Sequence, residues 1–207
     1  MRVRNAAIAV GALAVTGAAV MFFKPAHADG TRSTVFGLYM GMTLDEIKAV
    51  TGPLQEKRDG MYSTSKVPVG HPDIEEYTVI VSPTLGLCKV AGFTGMVETS
   101  SFGTELVTKF DSFQSALTAK YGEPTRAFKG PIPGTIWKER EDFMMGLLKK
   151  EVTLSTFWKD MKDTDVTTIM LNGVAMSRDK GIVTITYEFQ NTKECLADRR
   201  KKADAGL

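Results

Sequence analysis

The sequence predicts an α+β fold: two helix-then-antiparallel-sheet units, a weak internal repeat, followed by a polar C-terminal helix. Three observations carry that expectation. The stretch Thr104 to Tyr121 places Leu106, Phe110, Phe113, Leu117 and Tyr121 on one stripe of a helix, with Glu105, Lys109, Asp111, Gln114 and Lys120 off it. Near the C-terminus, Val183, Ile185, Tyr187 and Phe189 alternate with Thr184, Thr186 and Glu188, the period of a half-buried strand. The two principal helices also stop alike, at Gly52-Pro53 and at Gly122 with Pro124, where a left-handed cap and a residue lacking an N–H end a helix.

Taken in order, the chain opens with Arg2 and Arg4, runs apolar from Ala6 to Phe23, and reaches Ala26-His27-Ala28 before Asp29. A basic start, an apolar middle and a small-x-small site form the pattern of a secretory signal peptide over residues 1–28, so the chain is expected to be exported, to the periplasm or beyond it. An uncleaved anchor is the alternative, because the run approaches spanning length. Its Ala/Gly content and the cleavage site favour removal, which leaves no transmembrane segment in the mature chain. Three of the 26 Lys and Arg residues leave with the signal, so 23 face 24 acidic residues. That balance gives no nucleic-acid footprint. The run Arg199 to Lys202 reads as a solvated helix face. Two cysteines in an exported chain, Cys88 and Cys195, predict a disulfide, with two buried thiols as the alternative.

The first unit is expected over residues 29–101. Val35 to Tyr39 reads as a short strand. Thr43 and Glu46 form a capping box for a two-turn helix that buries Leu44, Ile47 and Val50. Gln55 to His71 is polar and turn-rich, with a weak strand near Met61 to Ser65. Tyr77 to Ser82 and Leu85 to Phe93 are strands joined across Pro83-Thr84, and Gly95 to Thr99 is a shorter one. The second unit, 102–207, opens with the 104–121 helix. Strands follow at Thr125 to Phe128, Val152 to Trp158, Val166 to Leu171 and Gly181 to Phe189, with a helix from Asp142 to Lys150 inserted. Asn172-Gly173 reads as a hairpin turn or a bulge. Thr192 is expected to cap the last helix. The two units read equally as one continuous domain.

The segment Gly41-Met-Thr-Leu-Asp-Glu-Ile-Lys-Ala-Val-Thr-Gly-Pro53 resembles the small α/β lipoprotein of the outer-membrane β-barrel assembly machinery, and equally the secreted β-lactamase-inhibitor protein. Leu-Gly-Leu-Cys88-Lys-Val and Lys-Tyr-Gly-Glu-Pro-Thr125 look like stretches of exported bacterial proteins of unassigned function. The resemblance implies a non-catalytic interaction scaffold and carries over no functional residue. It also departs from the lipoprotein pattern, since no Cys stands near the cleavage point to carry a lipid.

Chemistry has few footholds. His27 leaves with the signal, so His71 is the one histidine of the mature chain, which removes histidine-rich zinc sites and bis-histidine haem ligation. No phosphate-binding loop, dinucleotide fingerprint or serine-nucleophile elbow is present. The clusters Asp73/Glu75/Glu76, Glu139/Glu141/Asp142 and Asp160/Asp163/Asp165 read as solvated loop charge, and the last lacks the Gly and terminal Glu of a calcium loop. No catalytic, metal or cofactor residue is therefore assigned. The candidate partner surface is Trp137, Phe143, Met144 and Met145, because adjacent methionines with aromatics make an adaptable apolar surface. Packing of Phe143, Met144, Leu147 and Leu148 against a sheet is the competing reading, and Met145 lies off that stripe. Function is expected around 136–148 rather than on the 104–121 helix. The expected role is binding of another envelope or extracellular protein. A carboxylate-dependent envelope hydrolase, or a secreted inhibitor of another enzyme, is the alternative.

Overall fold

Local signals in the chain set most of the elements directly. The computed structural model describes residues 33–58 and 60–204; the signal-peptide expectation at residues 1–28 lies outside them. A tight hairpin of β1 (Thr34–Val35) and β2 (Leu38–Tyr39) leads to α1 (Leu44–Thr51), whose capping box closes. There the Thr43 amide donates to Glu46 Oε2 at 2.7 Å and the Glu46 amide to Thr43 Oγ1 at 3.2 Å. Four strands follow: β3 (Gln55–Arg58), β4 (Met61–Thr64), β5 (Ile74–Ser82) and β6 (Gly86–Thr94). A two-residue strand, β7 (Val97–Glu98), precedes α2 (Thr104–Tyr121). Then come β8 (Arg126–Pro131), a 3-10 turn at Arg140–Asp142, α3 (Phe143–Leu148), β9 (Val152–Lys159), β10 (Val166–Ala175), β11 (Lys180–Phe189) and α4 (Thr192–Asp204).

The fold is α+β, with its C-terminal helix in place. One antiparallel sheet runs β3-β4-β5-β6-β11-β10-β9-β8, and β7 pairs with the start of β11. Each half is a meander, and the two halves meet through their last strands. β6 and β11 pair from Lys89↔Glu188 to Phe93↔Thr184, so the stretches 29–101 and 102–207 share one sheet. Helix α2 lies across β9, β10 and β11. It buries Leu106, Phe110, Phe113 and Leu117, while Tyr121 is only half-buried at its end. The Trp158 indole N–H donates to the Gly122 carbonyl at 2.8 Å and fixes the end of α2 on β9.

A bulge in β6 redirects one side chain. Ile80 pairs with Lys89 and Val81 with Leu87, so Cys88 has no partner across from it. An extra residue of this kind re-aims its side chain and reverses the alternation beyond it. Leu87 and Val90, three apart, are both fully buried in the core. Cys88 instead forms a disulfide with Cys195 of α4, with Cα atoms 6.3 Å apart. The same helix is held by the Thr192 hydroxyl, which donates to the Cys88 carbonyl at 2.6 Å. Asp198 accepts from the hydroxyls of Ser82 and of Thr84, the latter at 2.9 Å.

Four local expectations need correction. Val50 is half-exposed and Thr51 is buried in its place, its hydroxyl satisfied by the Ile47 carbonyl at 2.9 Å. Helical spacing from Ile47 reaches Thr51 as readily as Val50, and the polar residue fits because its hydroxyl can bond backward. Gln55 to Arg58 is a strand although it reads as polar loop; every residue is exposed, so no apolar alternation marks it. Asn172-Gly173 lies inside β10, in register with Thr184 and Val183 of β11. Gly173 is needed there because a Cβ would sit 2.4 Å from Leu154 Cδ2, which crosses over the strand. The Thr192 hydroxyl serves β6 rather than the helix end.

Phe113→Ala is expected to cost about 3–5 kcal/mol in urea unfolding, as for a buried aromatic, while Val50→Ala stays within about 0.5 kcal/mol. Reduction of Cys88–Cys195 reopens a 107-residue separation, and the loop-entropy account gives an upper loss of about 4–5 kcal/mol, read from paired unfolding curves with and without reductant. The Ser82 and Thr84 hydroxyls hold Asp198 below the usual carboxylate range. Its contribution is therefore present above the unfolded value of about 4 and lost as pH falls through the lower folded value. Asp198→Asn should lower stability at neutral pH and leave the acid end of the stability–pH curve unchanged.

Candidate functional site

The segment between β8 and β9 is an insertion into an otherwise short hairpin, and its own hydrogen bonds give it shape. The Ile132 amide donates to the Glu151 carbonyl at 2.9 Å, closing the insertion where it leaves and rejoins the sheet. Thr135, buried, donates its hydroxyl to Glu151 Oε2 at 2.8 Å and accepts from the Trp137 amide at 3.1 Å. That relay places Trp137. On the far side, the Met144 amide donates to the Ser101 carbonyl at 3.1 Å, which pins α3 to the approach of α2. Gly103, at φ 70°, makes the contact feasible: a Cβ there would lie 2.4 Å from Phe143 Cδ1.

The four residues of the candidate partner surface thus separate. Met144 is fully buried and is a packing residue. Trp137 and Phe143, half-buried, line a recess of about 200 Å³ together with Phe102, Pro131 and Arg140. Met145 is half-buried outside that recess. Phe102 is 48% exposed, and the insertion carries further exposed apolar side chains, Ile136 at 77%, Ile132 at 42% and Leu148 at 36%. Leu148, which the helical stripe assigns to the sheet side, is among them. Phe102 escaped sequence reasoning because Ser101-Phe102-Gly103 reads as the lead-in to a helix rather than as part of a surface.

Beside this patch runs β8, the last strand of the sheet. All six of its residues pair in register with β9, and among the described residues no strand pairs with its outer side. Half-exposed Phe128 packs edge-on to Phe157 at 6.1 Å on the sheet face away from α2. The opposite sheet edge differs. β3 carries a register shift between Glu56 and Arg58, and its Lys57 pairs with Glu76 at 3.5 Å. Bulges, charge and proline blunt a sheet edge. β8 has no register shift, and although Lys129 is paired with Asp111 and Pro131 lacks an amide donor, its backbone from Arg126 to Gly130 has no strand on the outer side among the described residues.

The acidic clusters are dispersed. Asp73 accepts from Lys109 at 2.9 Å, an ion pair that holds its carboxyl below the usual range. Asp160 and Asp163 occupy left-handed turn positions between β9 and β10. Among the described residues, no group of three or more His, Cys, Asp or Glu is placed to hold a metal ion. His71 Nδ1 accepts from the Asp73 amide at 3.2 Å, and the disulfide occupies both cysteines, so no Cys–His nucleophile pair forms. No helix among the described residues is long and apolar enough to cross a membrane. The chain matches no family model, no curated protein and no solved structure.

Proposed function

We propose that this chain is a non-catalytic binding module of the bacterial cell envelope that captures an extended segment of a partner protein along β8. The observation that carries the reading is the open β8 edge lying beside the Trp137–Phe143 recess. A row of unpaired strand amides and carbonyls is satisfied by another extended backbone, and a neighbouring apolar recess selects one side chain of it. The exposed Ile132 and Ile136 extend the apolar surface beyond the end of the strand. Export is part of the proposal and draws on the N-terminal pattern and on a disulfide between the chain's two cysteines.

A photo-crosslinking residue at Ile136, compared with one at Met96 near β7, tests the reading in intact envelopes. The expected result is one defined protein joined at 136 and not at 96, with capture by purified chain lost in Trp137→Ala and in Ile136→Asp while the circular dichroism spectrum is unchanged. Equal crosslinking at both positions would overturn it. So would turnover of a glycan or ester substrate by the purified protein that Glu139→Ala, Glu141→Ala or Asp142→Ala abolishes, which is the outcome a carboxylate hydrolase requires.

A further inference from the structure

A second recess, remote in sequence from the β8 edge, lies under the C-terminal half of α2. It is built from the β1–β2 hairpin, the turn around Gly70, helix α2 and strand β11, and encloses about 240 Å³. Its walls are rings. Phe36 meets Tyr77 edge-on at 4.9 Å and Tyr187 at 5.6 Å, Tyr121 tilts toward Tyr187 at 6.3 Å, and Phe113 lies against the His71 ring at 4.9 Å. Val35, Val69, Ile74, Leu117 and Ile185 add aliphatic surface between the rings.

The placement of Phe36 is costly. It sits at φ 55°, a left-handed conformation that bulky residues rarely adopt, followed by Gly37 at φ 79°. A two-residue hairpin turn of this hand ordinarily takes Asn-Gly or Gly-Gly. Here the Phe36 carbonyl accepts from the Val69 amide at 3.1 Å, which holds the turn against the loop and the ring in the recess. Backbone strain of this kind persists where the surroundings over-determine it, and it clusters at ligand sites.

Among the residues lining the recess, the one that carries a fixed charge is Lys120. Lys120 brings its ammonium to the mouth, 5.0 Å from the Tyr121 ring centroid. His71 also lines the space, with its Nδ1 taken up by the Asp73 amide, so Nε2 is the ring nitrogen left to meet a guest. Burial first, and the adjacent Tyr121 phenol second, push Tyr187 far above the ordinary phenol range, so it stays a neutral hydroxyl. No carboxylate lines the space.

From this combination we infer that the recess binds a small planar aromatic carboxylate, its ring between Phe36, Phe113 and Tyr187 and its acid group toward Lys120. Ring walls prefer a flat guest that can stack or meet them edge-on. A cation at the mouth with no facing acid selects an anionic head and disfavours the quaternary ammonium ions that aromatic cages otherwise take. The volume suits one or two fused rings and is too small for a peptide segment, which separates this site from the strand-capturing edge.

The test uses 2-naphthoate as probe, with 2-naphthol and octanoate as comparisons, in calorimetric titrations of the purified chain. 2-Naphthoate is expected to bind with Kd below about 1 mM, roughly fivefold or more tighter than 2-naphthol, the difference one partly exposed charge contact supplies. Lys120→Met should bring 2-naphthoate down to the 2-naphthol level. Ala116→Trp, an exposed helix position at the recess, should abolish binding without moving the thermal midpoint. Undetectable 2-naphthoate binding, tighter binding of octanoate, or binding unchanged in folded Ala116→Trp would each overturn the assignment.

Discussion

Strand β6 joins the two halves of the sheet, the approach to α1 and the C-terminal helix, and the bulge at Cys88 is the constraint that makes this feasible. In an unbroken strand Leu87 and Val90, three apart, would point to opposite faces, and only one of them could reach the core. By leaving Cys88 out of register, the bulge keeps Leu87 and Val90 in the core and turns one sulfur toward the C-terminal helix. The same short stretch anchors the approach to α1, since the Gly41 amide donates to the Leu87 carbonyl and the Leu87 amide to the Met42 carbonyl, both at 2.8 Å. On its far side β6 meets β11, and Lys89 reaches Glu188 across that seam at 2.8 Å.

The seam also explains where the helices sit. Two meanders joined by their last strands put their longest, most buried strands in the middle and their shortest at the rims. Helix α2 therefore lies over β9 to β11, and its apolar stripe meets Ile169, Leu171 and Ile185 in one core. Surface removed from water at residues such as Phe110 and Leu117 stabilises each by about 1.5–3 kcal/mol, which is how a helix with a polar outer face holds its place.

What could be read from the chain follows from what a residue must bury. The alternation at 181–189 and the stripe at 104–121 are written by burial and are legible. β3 buries nothing, so Gln-Glu-Lys-Arg58 carries no pattern; only the partner strand β4 makes it a strand. Gly173 is a turn residue by composition and a packing residue in fact, because its reason is the Leu154 side chain from another strand. The surface around 136–148 was partly visible. Trp137 and Phe143 stood out as large apolar residues, but the burial of Met144 depends on Gly103, some forty positions away. The aromatic recess under α2 left no signature, since its walls come from four separate segments and each ring reads locally as core.

The two rims of the sheet are unlike, and that difference has a bearing on assembly. β3 is bulged, while β8 keeps one register with β9 along its length. A sheet with two receptive rims can pass a strand from copy to copy without limit and grow into a fibre. With one receptive rim, any strand exchange ends after a single step: a copy that docks by its own β8 closes a pair, and a foreign strand closes a one-to-one complex. An asymmetry of this kind limits strand addition to one rim and works against open-ended stacking of copies.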